Sequence, residues 1–259
     1  MKEKIFIFIF LIVFLLILFG HHILIPRAFV QNDDSPKTVP RTLLVELFIQ
    51  EGCSSCPTAK FCLEDLAWEY GTSKFILVQE HLWGDGYDTP ETNARYDWYV
   101  GDSKKGTPDV FINGSTKRLQ GLACDCVEEN YECYKDVIDE ELTRASLVEL
   151  SASKTTIEPD FIIEGTVKNI SDIPLKDLAV CGMIGKEGDE SELFFYILDI
   201  LPFQNIPTLL PGAIFSFKFI PEISLEQESR VDAEKDILHS VIFVQNTETK
   251  KIFQALYIE

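Results

Sequence analysis

Gly-Cys-Ser-Ser-Cys-Pro, at residues 52–57, follows an almost unbroken apolar run over residues 43–49 and precedes a helix-like stretch over residues 58–70. Two thiols are therefore placed where a strand leads into a helix. Unpaired backbone N–H groups and the positive end of the helix dipole stabilise a thiolate at such a position. The spacing places Cys56 one helical turn from Cys53, so the pattern predicts Cys53 as the attacking thiol and Cys56 as the resolving thiol.

A Cys-x-x-Cys pair can also be half of a tetrahedral zinc site, which needs a second ligand pair. The chain contains no second Cys-x-x-Cys. Copper binding by Cys53, Cys56 and His81 is another interpretation, since thiolates and imidazole suit copper. Gly52 and Pro57 are helix start signals on either side of the two thiols, which favours a redox pair over a chance meeting of cysteines. We therefore predict no metal and no cofactor.

The composition limits the compartment and the partners. A length of 259 residues suits two domains and an anchor. The 23 Lys and Arg residues face 42 Asp and Glu residues, which gives a net charge of −19. Because this charge repels polyanions, we expect no binding to nucleic acid.

The N-terminal segment is apolar over residues 5–19 and again over residues 23–25. Together these runs reach the roughly 20 residues that span a bilayer, and no small-x-small cleavage site follows them. We predict that residues 1–26 are a signal anchor, or a signal peptide if they are cleaved. Lys2 and Lys4 would stay in the cytoplasm. The C-terminal domains would then lie outside the cytoplasm, on a single-pass protein of the cell membrane or on a secreted one.

Residues 27–40 are polar and contain prolines, which indicates a linker. The strand-like run after the linker, the helix after the cysteines and a second apolar run over residues 75–78 predict a β-α-β unit. Pro108 stands directly before a short strand-like segment, where its missing N–H is tolerated. The Asn-Gly pair at residues 113–114 then predicts a hairpin turn.

This order of elements, with a Thr-Pro-x-x-Phe-x-Asn-Gly segment after the second helix, resembles the thioredoxin-like superfamily over residues 41–147. The resemblance implies an α/β domain with a mixed central sheet and flanking helices. It also implies a cis bond before Pro108, packing of Pro108 against the cysteines, and a Thr107 backbone that meets an incoming extended chain. More narrowly, residues 45–48 and 52–57 resemble an exported bacterial family with a Gly-Cys-Ser-Ser-Cys-Pro motif.

Thioredoxins also bury an acid beneath the disulfide, six residues before the first cysteine. Leu47 occupies that position here, and Glu46 precedes it. A carboxylate in an apolar strand is costly unless it is paired or its pKa is raised. Glu46 is therefore a candidate proton shuttle if a one-residue bulge precedes Gly52, and otherwise a carboxylate at a strand end or edge. The Ser-Ser pair at residues 54–55 replaces the usual Gly-Pro, so the direction of electron flow stays open.

Five further cysteines remain, and disulfides are the default outside the cytoplasm, although seven cysteines leave at least one thiol without a partner in the monomer. A bond between Cys124 and Cys126 is sterically poor, so we expect one of them to pair with Cys133 or Cys62. Cys181 lies in a strand-like segment and is predicted to be a buried free thiol.

The second half of the chain, residues 148–259, changes to short alternating segments separated by turn residues. Seven strands are predicted, over residues 148–157, 161–169, 175–184, 193–200, 213–220, 238–246 and 251–258. This spacing predicts an immunoglobulin-like β-sandwich as a second domain. It contains no catalytic constellation, and its one histidine, His239, lies in a strand. We expect this half to position the redox domain or to bind a partner.

These features predict a membrane-anchored, extracytoplasmic thiol-disulfide oxidoreductase that acts on protein thiols or disulfides. Its partners would be those proteins, an unidentified redox partner and the membrane. The alternative is a non-enzymatic binding or assembly module with a stable Cys53–Cys56 disulfide, and a third interpretation is a copper-handling protein.

Overall fold

The computed structural model describes residues 38–124, 129–157, 160–188, 191–221 and 238–259. The predicted anchor, most of the predicted linker and Cys126 lie outside these residues. No helix within the described ranges is long and apolar enough to cross a membrane.

The described part of the chain contains three helices and thirteen strands. The helices are α1 (Cys56–Tyr70), α2 (Pro90–Val100) and α3 (Asn130–Leu142). The strands are β1 (Val39–Pro40), β2 (Leu43–Ile49), β3 (Phe75–His81), β4 (Asp109–Ile112), β5 (Lys117–Gln120), β6 (Ala145–Ser146), β7 (Val148–Ile157), β8 (Asp160–Asn169), β9 (Leu178–Gly188), β10 (Ser191–Ile206), β11 (Ile214–Phe219), β12 (Leu238–Asn246) and β13 (Ile252–Ile258).

The main sheet is mixed and has eight strands in the order β13-β12-β9-β10-β3-β2-β4-β5. β2 runs parallel to β3 and antiparallel to β4. All seven residues of β2 are buried, because helices or strands cover both faces of the sheet there. Side chains of a strand alternate between faces, and the odd-numbered residues of β2, from Leu43 to Ile49, pack with α1 and α3. The even-numbered Phe48 packs with α2.

Local signals in the sequence account for the ends of these elements. Pro57 occupies the first turn of α1, and the N–H of Gly71 closes the last turn by donating to the carbonyl of Ala67 at 2.9 Å. The predicted Asn-Gly turn joins β4 to β5, with positive φ at both residues. Asn113 has a φ of 50° and Gly114 a φ of 64°, and they begin the four-residue connection between the paired residues Ile112 and Lys117.

The seven strands predicted for the second half are all present, as β7 to β13. β11, β8 and β7 form a separate three-stranded sheet. This sheet shares an apolar core with β9, β10 and β12, whose members include Val148, Val167, Val180, Leu201 and Ile242. Two packed sheets therefore make up this half of the chain.

One feature of the sheet was not expected from the sequence. β10 pairs in parallel with β3, so strands from both sides of residue 147 lie in one sheet. All the described residues also belong to one compact unit. The domain boundary after residue 147 stays a prediction. If the chain is divided there, backbone hydrogen bonds between β3 and β10 join the two domains in one sheet.

The cysteines outside the 52–57 motif have distinct states. Cys124 and Cys133 form a disulfide with 6.3 Å between their Cα atoms, which is one of the expected pairings. Cys62 and Cys181 are buried free thiols. The prediction for Cys181 is thereby confirmed, and burial raises its pKa to about 12. Cys126 lies outside the described residues.

Candidate functional site

The two motif cysteines form a disulfide at the carboxyl end of β2. Their Cα atoms are 5.5 Å apart. Helix α1 begins at Cys56, so Cys53 lies in the turn just before the helix. Cys53 is partly exposed, whereas Cys56 is only 6% exposed. A substrate sulfur can therefore reach Cys53 more easily than Cys56, which matches the predicted roles of attacking and resolving thiol.

The start of α1 favours negative charge on these sulfurs. No acidic side chain lies in its first turn, and the side chain of Ser55, the N-cap residue, makes no capping hydrogen bond. The positive end of the helix dipole is therefore not neutralised by the helix's own first turn. Once the disulfide is reduced, this field stabilises a thiolate at Cys53 or Cys56.

The proline identified from the sequence lies at the neighbouring strand. The Thr107–Pro108 peptide bond is cis, as the resemblance implies, and Pro108 is buried. Phe48, near the end of β2, is paired with Asp109 at the start of β4. Val110 belongs to the same apolar cluster as Cys56. Pro108 itself immediately precedes β4 in the chain. Direct packing of Pro108 on the cysteines stays a prediction.

A cavity of about 500 Å³ opens beside the disulfide. Its lining combines the end of β2, the motif and the segment after β3, and comprises Ile49, Gln50, Glu51, Gly52, Cys53, Cys56, Pro57, Lys60, His81, Asp85 and Tyr87. Both motif cysteines thus line one space together with an imidazole, two carboxylates and an amine.

Glu46 does not lie at this site. β2 and β3 pair without a register shift, so the bulge that would turn Glu46 toward the disulfide is absent. Glu46 is even-numbered in β2, so its side chain faces away from α1. Its carboxylate accepts a hydrogen bond from Arg95 Nε and another, at 2.6 Å, from the hydroxyl of Tyr99. We therefore correct the sequence-based assignment: the sheet separates Glu46 from Cys53, and its carboxylate belongs to a buried ion pair.

That ion pair is part of a buried polar cluster under α2. The hydroxyl of Tyr99 accepts hydrogen bonds at 2.8 Å from Arg95 and from Gln245 on β12. Glu80 of β3 is also completely buried, 3.9 Å from Arg95 Nε, and neither of its carboxyl oxygens has a hydrogen-bond partner among the described residues. Burial, and then the negative charge of Glu46, raise the pKa of Glu80 well above its usual range. Arg95 is thus paired with Glu46, and the raised pKa favours the neutral form of Glu80.

Replacing Glu80 with glutamine is expected to change how stability depends on pH. Because the pKa of Glu80 is raised in the folded state, the unfolded chain releases its proton first. Wild-type stability should therefore fall as the pH rises from about 4.5 through the folded pKa. Glu80→Gln removes this loss, so urea unfolding from pH 4.5 to 8 should show a widening advantage for the variant. The exposed control Glu132→Gln should keep the wild-type slope; parallel curves for Glu80→Gln and wild type would contradict the assignment.

The face of the sheet beneath the disulfide carries no acid on β2. Leu47, at the position of the buried acid of thioredoxins, is completely buried in the apolar cluster that contains Cys56. Tyr134 of α3 lies in the same cluster, and burial raises its pKa. On this face, β2 therefore has no counterpart of the buried acid of thioredoxins.

Two residues of the cavity have a role that sequence reasoning did not assign. The sequence suggested His81 among possible copper ligands and did not single out Asp85. His81 Nδ1 lies 2.6 Å from Asp85 Oδ2, and both line the cavity. The signal that could have found them is position: His81 ends β3, and the carboxyl ends of adjacent parallel strands meet at one edge of a sheet. Trp83, which follows in the same loop, packs edge-on against Tyr96.

The described residues contain no group of three or more His, Cys, Asp or Glu side chains placed to hold a metal ion. The copper interpretation therefore gains no support from the geometry. His239, the histidine of the second half, stacks on Tyr257 and hydrogen-bonds with its hydroxyl.

Comparison with known proteins gives a likeness of fold. No family model matches the chain, and no curated protein matches it. HBP35 of Porphyromonas gingivalis is similar in structure, with a TM-score of 0.61 and 17% identity over 85% of this chain and 76% of that chain. At this identity the likeness supports a shared fold of a mixed sheet, few helices and further β-sheets.

Two glycosidases match smaller parts of the chain, with low TM-scores. Bacteroides uniformis beta-glucuronidase 2 has a TM-score of 0.31 and 20% identity, over 42% of this chain and 12% of that chain. Listeria innocua beta-glucosidase has a TM-score of 0.27 and 18% identity, over 45% of this chain and 16% of that chain.

Proposed function

We propose that this protein is a membrane-anchored thiol-disulfide oxidoreductase that acts outside the cytoplasm through Cys53 and Cys56. One observation carries the proposal: a disulfide at the start of a helix has a partly exposed outer sulfur and a buried inner sulfur, and both line an open cavity. A purely structural disulfide needs no such asymmetry.

The chemistry follows from this asymmetry. In the reducing direction, the thiolate of Cys53 attacks a disulfide in a substrate protein and forms a mixed disulfide, while the other substrate sulfur leaves as a thiolate. Cys56 then attacks the sulfur of Cys53 and releases the second substrate sulfur. The substrate gains two electrons, and the Cys53–Cys56 disulfide is restored. The same steps in reverse would oxidise a pair of substrate thiols.

The arrangement around the disulfide supports a thioredoxin-like domain over residues 41–147. The strand order β3-β2-β4-β5, the helices on both faces and the cis bond before Pro108 all suit that fold. Thr107 is partly exposed beside this bond, so its backbone would pair with an extended substrate segment. The packed sheets of residues 148–259 suit the immunoglobulin-like sandwich that we propose as the positioning half.

Trapping of mixed disulfides tests the proposal in the native host. In Cys56→Ser, Cys53 can attack but its mixed disulfides cannot be resolved, so covalent adducts with other proteins should accumulate on non-reducing gels. They should vanish when Cys53→Ser is added. A matched control lacks the other disulfide, through Cys124→Ser and Cys133→Ser, and it should accumulate no such adducts. If Cys56→Ser traps nothing, the binding-module alternative replaces the oxidoreductase.

A further inference from the structure

His81 and the motif cysteines are brought together by the sheet. Ile49 of β2 is paired with His81 of β3, and the N–H of Leu82 donates to the carbonyl of Ile49 at 3.0 Å. Leu77 of β3 faces α1, so the two-residue repeat of a strand places His81 on that same face. This is the face from which α1 presents Cys56, and His81 lines the same cavity.

The imidazole is held by a tight loop after β3. Trp83, Gly84 and Gly86 all have positive φ, and this reversal returns Asp85 to His81. Asp85 Oδ2 accepts a hydrogen bond from His81 Nδ1 at 2.6 Å, and Oδ1 accepts one from the backbone N–H of Tyr87 at 3.0 Å. The side chain of Asp85 is only 1% exposed, so both carboxylate oxygens are committed and the carboxylate is fixed.

This contact determines which nitrogen of His81 is available. A carboxylate can only accept hydrogen bonds, so Nδ1 must carry a proton. In the neutral ring, Nε2 then presents a lone pair. Nε2 is buried and has no hydrogen-bond partner among the described residues. Burying an unpaired polar atom costs free energy, which a catalytic task can explain. The rings of Tyr87 and Tyr196, each 5.2 Å from the imidazole, keep it in place.

The other ionisable side chains of the cavity are less suited to accept a proton. Lys60 lies 3.6 Å from Glu64 in an ion pair, so its amine is already engaged. Glu51 is exposed, and a carboxylate is in general a weaker base than an imidazole. Asp85 is occupied by His81 and Tyr87. An imidazole is the only cavity group whose reference pKa lies near neutrality.

We propose that His81 is the base that takes the proton of Cys56 during resolution of the mixed disulfide, with Asp85 as its positioning residue; this rests on the proposed function. Nε2 accepts the proton from the thiol of Cys56, and the resulting thiolate attacks the sulfur of Cys53. The Cys53–Cys56 bond forms as the Cys53–substrate bond breaks, and its electron pair leaves on the substrate sulfur. The protonated imidazole returns the proton to that sulfur. Atoms and electrons balance, and the substrate disulfide is the oxidant.

The test mixes the reduced full-length protein, in detergent, with oxidised glutathione as the substrate disulfide. It times attack by Cys53 and resolution by Cys56 separately. The first step, attack by Cys53, is timed in the Cys56→Ser background. The second step is timed as conversion of the Cys53–glutathione adduct into the Cys53–Cys56 disulfide, by acid quenching, alkylation and mass spectrometry. His81→Asn keeps a hydrogen-bonding side chain beside Asp85 but removes the base.

His81→Asn is expected to slow the second step about 100-fold at pH 7, the usual contribution of a general base. The first step should change less than about 3-fold, and the deficit in the second step should shrink above about pH 9, where a free thiol ionises unaided. Asp85→Asn should slow the second step by a smaller factor. His239→Asn removes a buried histidine far along the chain and should leave both rates unchanged.

The outcomes distinguish this inference from the proposed function. Equal slowing of both steps at every pH would indicate a structural role and would overturn the inference. So would a second step in His81→Asn that matches the wild type. If Cys56→Ser forms no Cys53–glutathione adduct, the proposed function fails first.

Discussion

Replacing Glu46 with alanine is expected to lower the free energy of unfolding by about 3–5 kcal/mol. Its side chain is 0% exposed and that of Arg95 is 8% exposed, so the guanidinium would lose its main anionic partner inside the protein. The hydroxyl of Tyr99 would also lose its acceptor. Ionisation of Glu80 could replace part of the lost charge, but Glu80 Oε1 is 3.9 Å from Arg95 Nε. Urea unfolding of the full-length protein at pH 7 measures the loss.

Companion variants identify the cause of this loss. Glu46→Gln keeps the shape and an acceptor oxygen, so it should cost less than Glu46→Ala. The double change Glu46→Leu with Arg95→Met removes both charges and should recover much of the stability, because an apolar pair avoids the desolvation of the ions. A Glu46→Ala protein within about 1 kcal/mol of wild type would contradict a buried ion pair of this kind.

Substitutions of Glu46 should change the stability of the protein but not the rate of its reaction with a disulfide. Since the sheet lies between Glu46 and the disulfide, folded Glu46→Gln should react with oxidised glutathione at the wild-type rate. Glu46, which the sequence suggested as a proton shuttle, is thus expected to affect folding, whereas His81 is proposed to affect the chemistry.

Much of the fold could be predicted because each element has a strong local signal. The continuous apolar run of β2 reflects burial on both faces, and the alternating segments of the second half correspond to β7 to β13. Pro57 and Gly71 mark the limits of α1 by their backbone preferences. The Cys-x-x-Cys spacing likewise predicts a disulfide from local geometry alone.

The features that sequence reasoning missed depend on long-range contacts. The face to which Glu46 points follows from the exact register of β2 against β3, and a shift of one residue would reverse it. The pairing of β10 with β3 joins segments more than 100 residues apart, which periodicity cannot reveal. The contact between His81 and Asp85 depends on the positive φ of Trp83. This conformation is uncommon for a bulky residue, so the local sequence does not predict it.

The second large effect expected is reversible reduction of the Cys53–Cys56 disulfide at moderate potentials. Cys53 is partly exposed and can be attacked by an external thiolate, and the start of α1 stabilises the thiolates that reduction releases. Both effects favour the dithiol form relative to a buried structural disulfide. Known exchange enzymes have potentials between about −120 and −270 mV, whereas structural disulfides of secreted proteins resist reduction below about −300 mV.

Equilibration of the full-length protein in glutathione or dithiothreitol buffers of defined potential tests this claim most directly. Free thiols are then alkylated and located by mass spectrometry, so that Cys53 and Cys56 are distinguished from Cys124 and Cys133. We predict a single two-electron transition of the Cys53–Cys56 pair between about −120 and −270 mV, with both cysteines alkylated together. A pair that stays oxidised below about −300 mV would contradict a role in thiol-disulfide exchange.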